Sequence, residues 1–295
     1  MITRILAPLD GCDRAEVVLP FVEELSNRIG AHVTLLHVYP PTLRPQRDFH
    51  LQYIQTLASQ VRSRIERTNV QVDPVALEGT PNRQIADYAA REDISLIAAA
   101  PHSQTSDGHW TIGRTADKVI RETSKPVLLV PLETPDPTPS EPLLNRVLVP
   151  LDGSKPSRDV LPHVEAILDK EWVFESSTVW LTHIIPTEHY ASGPHIAKRV
   201  PYSRPESEEL RAQASRYLEE VARKLRVSGR KVEIRVGEGD VAKMILAVSV
   251  QVGANLIAMS THGHSGFNRL FLGSIAERVL HKSTVPLMLV KPVSY

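Results

Sequence analysis

Two stretches of the chain are near copies: RILAPLDGCDRAEVVLPFVEEL (4 to 25) and RVLVPLDGSKPSRDVLPHVEAI (146 to 167) are identical at 11 of 22 positions. The likeness continues downstream, where EGTPNRQI (78 to 85) lies over EGDVAKMI (238 to 245) and SKPVLLVP (124 to 131) over STVPLMLVKP (283 to 292). A unit of this length occurring twice is a domain occurring twice, each copy large enough to bury its own core. Between the copies, PLETPDPTPSEPL (131 to 143) carries five prolines, which remove backbone donors and favour extended conformations, so it reads as a semi-rigid linker. The organisation expected is a first domain over 1–132, a linker over 133–143 and a second domain over 144–295. The second copy is longer, mostly through HYASGPHIAKRVPYSRPE (189 to 206), whose Pro, Ser and Gly content reads as a loop.

Composition narrows the chemistry. The 34 Lys+Arg balance the 34 Asp+Glu, and neither half carries a basic block, which argues against a nucleic-acid binder that works by phosphate neutralisation. Cys12 is the single cysteine, so neither an intramolecular disulfide nor a CxxC pair exists, and a reducing, cytoplasmic setting is expected. The opening MITRILAPLDG reads as a strand and turn rather than a signal peptide. No run approaches the ~18 apolar residues of a membrane span, so no membrane partner is expected.

Within each copy, short Val-, Ile- and Leu-rich runs alternate with segments of helical period, the pattern of successive βαβ units. Strands are expected at 146–151, 178–185, 231–236, 255–260 and 286–291, and in the first copy at 4–9, 32–39, 70–76, 94–100 and 127–131. Helices are expected near 156–170, 206–226, 240–252 and 274–282. Ser203 and Glu206 have capping-box spacing, and Leu210, Ala214, Leu218, Val221 and Leu225 form one stripe behind them. The fold class is α/β: two tandem Rossmann-like domains, each an open five-stranded parallel sheet with helices on both faces.

In such a sheet the ligand crevice lies beyond the carboxyl ends of the strands. In the second copy PLDGS (150 to 154) and MSTHGHSGFNRLFLGSIAE (259 to 277) follow strands one and four. Gly263, Gly266 and Gly273 cluster there between a strand and a helix, where glycine admits close backbone approach and free N–H groups attract anions. The competing reading is an ordinary capping box of Ser274 and Glu277 with glycines that only shape a loop.

The pattern S-T-H-G-x9-G-S from Ser260 to Ser274, after a strand ending in Met259 and before P-L-M-L-V, resembles the G-x2-G-x9-G-S/T nucleotide signature of the universal stress protein family. It departs at the first glycine, where Ser260 stands. PLDG and the closing Pro-containing strand fit in both copies, so the chain resembles a tandem member, with an adenine nucleotide alpha hydrolase-like fold. The resemblance implies an ATP site in which Pro150, Asp152 and Ile184 border the adenine and Met259, Ser260, Thr261 and Gly263 form the adenosine side. It places His264, Ser265, Gly266, Gly273, Ser274, Ile275 and Ala276 around the phosphates. Mg2+ is compatible with such a site, since it binds through the phosphates and needs few protein ligands.

The first copy departs at the same places. By a constant offset, Ser103 stands for Gly263, Gly113 for Gly273 and Arg114 for Ser274, and Asp107 brings a negative charge into the phosphate loop. Pro8, Asp10 and Val38 keep the adenine-side elements. Weak or absent nucleotide binding is expected there, unless Arg114 meets the phosphates directly.

Catalytic readings find less support. His262, His264, His102 and His109 lack the HExxH or CxxC company of a zinc site. GHSGF (263 to 267) has Phe267 where a nucleophile elbow has glycine, and only Glu277 and His281 follow it. No G-x4-G-K-S/T occurs for phosphoryl transfer. The chain is expected not to be an enzyme beyond slow ATP hydrolysis. Two function classes remain: a stress-response regulator that binds one adenine nucleotide, mainly in domain two, and answers to a protein partner; or an interaction scaffold with a vestigial pocket. The resemblance further implies that the last strands of the two copies pair edge to edge within the chain as a pseudo-dimer, an arrangement compatible with a homodimer of whole chains.

Overall fold

The computed structural model describes residues 2–101, 103–104, 110–111, 113–138, 141–168, 177–192, 197–263 and 272–293. The first half contributes strands β1 (Arg4–Leu9), β2 (His32–Tyr39), β3 (Val72–Glu78), β4 (Leu96–Ala99), β5 (Ser103–Gln104), β6 (Trp110–Thr111) and β7 (Val127–Leu129). The second contributes β8 (Arg146–Pro150), β9 (Thr178–Ile185), β10 (Glu188–Ser192), β11 (Ala197–Pro201), β12 (Lys231–Glu238), β13 (Leu256–Ser260) and β14 (Leu287–Val290). Ten of these form one sheet in the order β12-β9-β8-β13-β14-β7-β4-β1-β2-β3. Each half supplies five parallel strands in mirrored order, as the repeat requires. The halves meet where β14 runs antiparallel to β7, with Met288 opposite Leu128 and Leu287 opposite Leu129. The edge-to-edge pairing expected within the chain is thus formed, and it reverses the direction of one half-sheet against the other.

Helices cover both faces, which is why the central strands are continuous apolar runs rather than alternating ones. One buried cluster joins Leu128 and Met288 to residues of helices Leu19–Ile29, Arg47–Arg64, Leu161–Ile167 and Arg204–Val227. The other joins Val127, Leu129, Leu287 and Leu289 to helices Pro81–Ala89, Arg114–Glu122, Val241–Val252 and Ser274–Leu280. Both apolar layers therefore run across the seam without a break. At the outer edge, Pro74 sits on β3, where a missing donor costs no ladder bond on the open side.

Three expectations are corrected. The helix expected over 156–170 is two pieces, Lys155–Arg158 and Leu161–Ile167, and the first half likewise has Asp13–Glu16 and Leu19–Ile29. Pro20 and Pro162 are the cause: each ring would press on the carbonyl four residues back, at Glu16 and Arg158, where the first piece stops. The 189–206 stretch is not simply a loop, because β10 and β11 pair antiparallel there, Glu188 opposite Pro201. The long helix begins at Arg204 instead of 206, with Ser203 and Glu206 closing the expected capping box. The proline-rich segment is fastened at points on both halves: Thr134 Oγ1 donates to Thr284 O at 3.1 Å, and Leu143 N donates to Glu24 at 3.0 Å. Burial raises the Glu24 carboxyl above its ordinary range despite Arg28 beside it.

Candidate nucleotide site

In the second half the backbone leaves β8 at Pro150, pairs once more through Leu151 N to Thr182 O (2.8 Å), and turns at Asp152. Asp152 Oδ1 accepts from Ser154 N (3.0 Å) and Ser154 Oγ (2.6 Å), while Gly153 supplies the φ of 87° that closes the turn. Ser154 Oγ in turn accepts from Ser157 N at 3.1 Å and caps the short helix. The carboxylate is thereby held at the end of β8, facing the neighbouring crossover.

That crossover leaves β13 through Ser260, Thr261 and His262, all three buried. Thr261 N donates to Val290 O (2.8 Å) and Thr261 O accepts from Gly273 N (2.9 Å), so the entrance to helix Ser274–Leu280 is tied to the strand end. Thr261 Oγ1 and His262 Nδ1 lie 3.0 Å apart, which gives this histidine a hydrogen-bonded structural role. Two glycines mark the tightest approaches. A Cβ on Gly273 would stand 2.5 Å from Thr261 O, and one on Gly263 would overlap Asp152 Oδ2. Side chains are excluded there by backbone and carboxylate, not by φ.

Pro150, Asp152, Ile184, Met259, Ser260, Thr261, Gly263, Gly273, Ser274, Ile275 and Ala276 line one cavity at these strand ends. His264, Ser265 and Gly266 lie outside the described residues. The capping-box alternative does not form: Gly273 is the cap, Ser274 is the first helical residue, and the Glu277 N–H goes to Gly273 O at 2.9 Å. Ser274, the first residue of that helix, lines the cavity. The same cavity also takes Leu151, Ser157, Thr182, Val241, Ile245 and His262, which sequence reasoning missed. Thr182 was within reach of it, since it shares a strand face with Ile184 two residues on. Ile245 and Val241 lie four apart on one helix face, in a segment already matched between the copies.

The wall is stiffened from outside. Asp240 caps helix Val241–Val252 through Lys243 N (3.0 Å) and meets Arg278 of the next helix at 2.7 Å. The Arg278 guanidinium, with the Lys243 N–H, holds the Asp240 carboxyl below its usual range. In the first half Thr80 takes the Asp240 position without a side-chain cap bond, and Lys118, in the Arg278 position, turns to Glu122 at 3.7 Å.

The first half repeats the β1 turn, with Asp10 Oδ1 accepting from Cys12 N at 3.0 Å and Gly11 at φ 91°. Its strand-four exit differs. Ser103 opens β5, which pairs with β6 (Ser103 opposite Thr111), and Arg114 is the exposed first residue of helix Arg114–Glu122 behind the Gly113 cap. Asp107 lies outside the described residues. Beside this end of the sheet, His37 bonds Leu9 O (2.9 Å) and His50 Nδ1 (2.9 Å), and burial, then His37, lowers the His50 pKa.

Set against known proteins, the sequence model of the universal stress protein family matches residues 1–131 and again 144–291. Among curated relatives, universal stress protein MJ0531 of Methanocaldococcus jannaschii is 28% identical over 151 residues, covering 51% of this chain and 84% of that protein. MJ0577 of the same organism is 24% identical over 154 residues, covering 44% and 95%. Among solved structures, a universal stress protein from Archaeoglobus fulgidus aligns over 98% of this chain and 96% of its own, with a TM-score of 0.67 at 20% identity. One from Pseudomonas aeruginosa aligns over 99% and 94%, with a TM-score of 0.67 at 17% identity. These two likenesses extend through both halves and the seam.

Proposed function

This chain belongs to the universal stress protein family, and from that premise we propose that it is a regulatory protein that binds one adenine nucleotide, ATP, in its second half and turns nothing over at an appreciable rate. The observation that carries this reading is the convergence of the signature residues on one cavity, with Gly263 and Gly273 at points where a side chain would collide. Asp152 offers an acceptor to a ribose or base donor, Ile184 and Met259 an apolar bed for the purine, and Ser274 a donor for phosphate oxygen. Mg2+ would reach the site on the phosphates, keeping most of its waters. The regulatory output would be a change in partner choice, which requires different nucleotide affinity in the two states concerned.

The test is denaturing extraction of the purified chain followed by calorimetry with ATP, on the wild type and on Gly273→Asp, with folding checked by circular dichroism. One equivalent per chain, lost in the variant, is the expected outcome. Two equivalents, undiminished binding in the variant, or neither bound nucleotide nor binding heat in the wild type would overturn the reading.

A further inference from the structure

The first half holds the larger cavity, of about 380 Å³ against about 110 Å³ at the second-half site. This is the size of a small-molecule pocket. It lies at the carboxyl ends of β1, β2 and β4, beneath the start of helix Arg114–Glu122. Its origin is legible in the repeat. Where β13 fills the space with buried Met259, β4 has Ala99, and Ala99 is partly exposed although Ala98 and Ala100 on either side of it are buried. The truncation uncovers a floor of Ile97, Val127 and Leu129, all part of the apolar layer against the sheet. The walls follow suit: Val38 replaces Ile184 and Ala100 replaces Ser260.

We infer that this cavity is a second ligand site, for a medium-chain aliphatic carboxylate rather than a nucleotide. An apolar floor of this kind rewards an apolar occupant. On the floor of Ile97, Val127 and Leu129 no side chain can pair with a ring nitrogen or amine, so a polar ring pushed down to that floor would be buried at a cost. The polar groups stand at the mouth, where Asp10 and Arg114 both contribute to the lining. Asp10 has one oxygen engaged by the Cys12 N–H. Arg114 replaces a neutral serine of the other copy, and the carboxylate three residues along its helix, Asp117, is held by Arg121 at 2.8 Å. A guanidinium presents a planar fork that matches a carboxylate in two parallel hydrogen bonds. An alkyl chain suits the floor and a carboxylate suits Arg114, whose charge must outweigh that of Asp10 on the same lining. The site is separate from the second-half nucleotide site and does not depend on it.

Calorimetry of the full chain with decanoate and with decanol tests this, on the wild type, Ala99→Met and Arg114→Ser, two variants that import the second half's own residues. Decanoate is expected to bind one equivalent, at least about tenfold more tightly than decanol. Ala99→Met should weaken both probes at least about tenfold by refilling the void, and Arg114→Ser should weaken decanoate alone by a similar factor. Saturating ATP should leave decanoate affinity unchanged. No decanoate binding, equal affinity for decanol, an unaffected Ala99→Met variant, or competition by ATP would each overturn the assignment. Arg114 is exposed, so its variant tests the carboxylate contact without disturbing the core. Failure of the ATP reading would appear in Gly273→Asp and in the ATP titration, leaving the decanoate result to stand or fall by itself.

Discussion

At the exit of its fourth sheet strand, the second half carries Met259, Ser260 and Gly263, and the first carries Ala99, Ala100 and Ser103. The frame beneath those positions is shared: strand order, the Asp-Gly turn after the first strand, and the glycine that caps the helix beyond. The scaffold is therefore insensitive to the difference, and the mouths are not. A Cβ at Gly263 would overlap Asp152 Oδ2, whereas the first half turns at Ser103 into the β5–β6 pair. A bulky thioether closes one floor and a methyl group opens the other. Two cavities of different size and lining thus follow from a few side chains on one architecture.

The comparison can be broken most sharply by exchanging the glycine. Gly263→Ser imports the residue of the first half into a place where even its Cβ overlaps Asp152, so ATP affinity in calorimetry should fall by about 100-fold, or ~2.8 kcal/mol. Ser103→Gly should gain no ATP binding, because the cavity behind it keeps its open apolar floor of Ile97, Val127 and Leu129. Retained affinity in the first variant would mean that the glycine is dispensable and the two mouths are interchangeable.

A smaller effect should separate the helices behind the mouths. Asp240→Ala removes a cap bond and a half-exposed ion pair and should lower stability by ~1 kcal/mol, most of it from the cap. Thr80→Ala, at a position with no cap bond, should stay within ~0.5 kcal/mol. Urea unfolding of both variants checks this, and equal losses would refute the asymmetry.

The smallest effect is electrostatic. Asp240 is held ionised below its ordinary pKa of 3.8, chiefly by Arg278, so its charge stabilises the fold above that value. The stabilisation is lost as pH falls through the lower folded-state value. The unfolding free energy of wild type should exceed that of Asp240→Asn by ~0.5 kcal/mol at pH 7, an excess that shrinks below pH 3.8. An excess that grows on acidification would reverse the sign and remove the Arg278 pairing as its cause.

The parts of this molecule that depend on local chemistry were open to reading from the residues alone. The PLDG turns and the Ser203–Glu206 box occur where expected, and the pairing of the two last strands, which only the family resemblance implied, is formed as well. The breaks ahead of Pro20 and Pro162 carried their own signal, since a proline stops the helix at the carbonyl it would strike. The β10–β11 pair did not, because composition marks a segment as irregular without showing that its two arms can share a register. Eleven of the expected nucleotide residues meet in one cavity, whereas Thr182 enters only through strand alternation and His262 through its bond to Thr261. The first-half void was hidden for a different reason. An alanine in a strand is unremarkable until one knows what faces it across the layer.

The seam between β7 and β14 has a consequence for dosage. In a dimer of identical subunits, any substitution appears in both pockets at once, and the pair separates on dilution. Here Leu128 and Met288 meet within one polypeptide, so a change at Ala99 leaves Met259 untouched, and the two compartments keep a one-to-one ratio at any protein concentration. Because the seam is antiparallel, their openings point toward opposite rims of the ten-stranded sheet. One molecule thus carries two separate cavities that open on opposite rims.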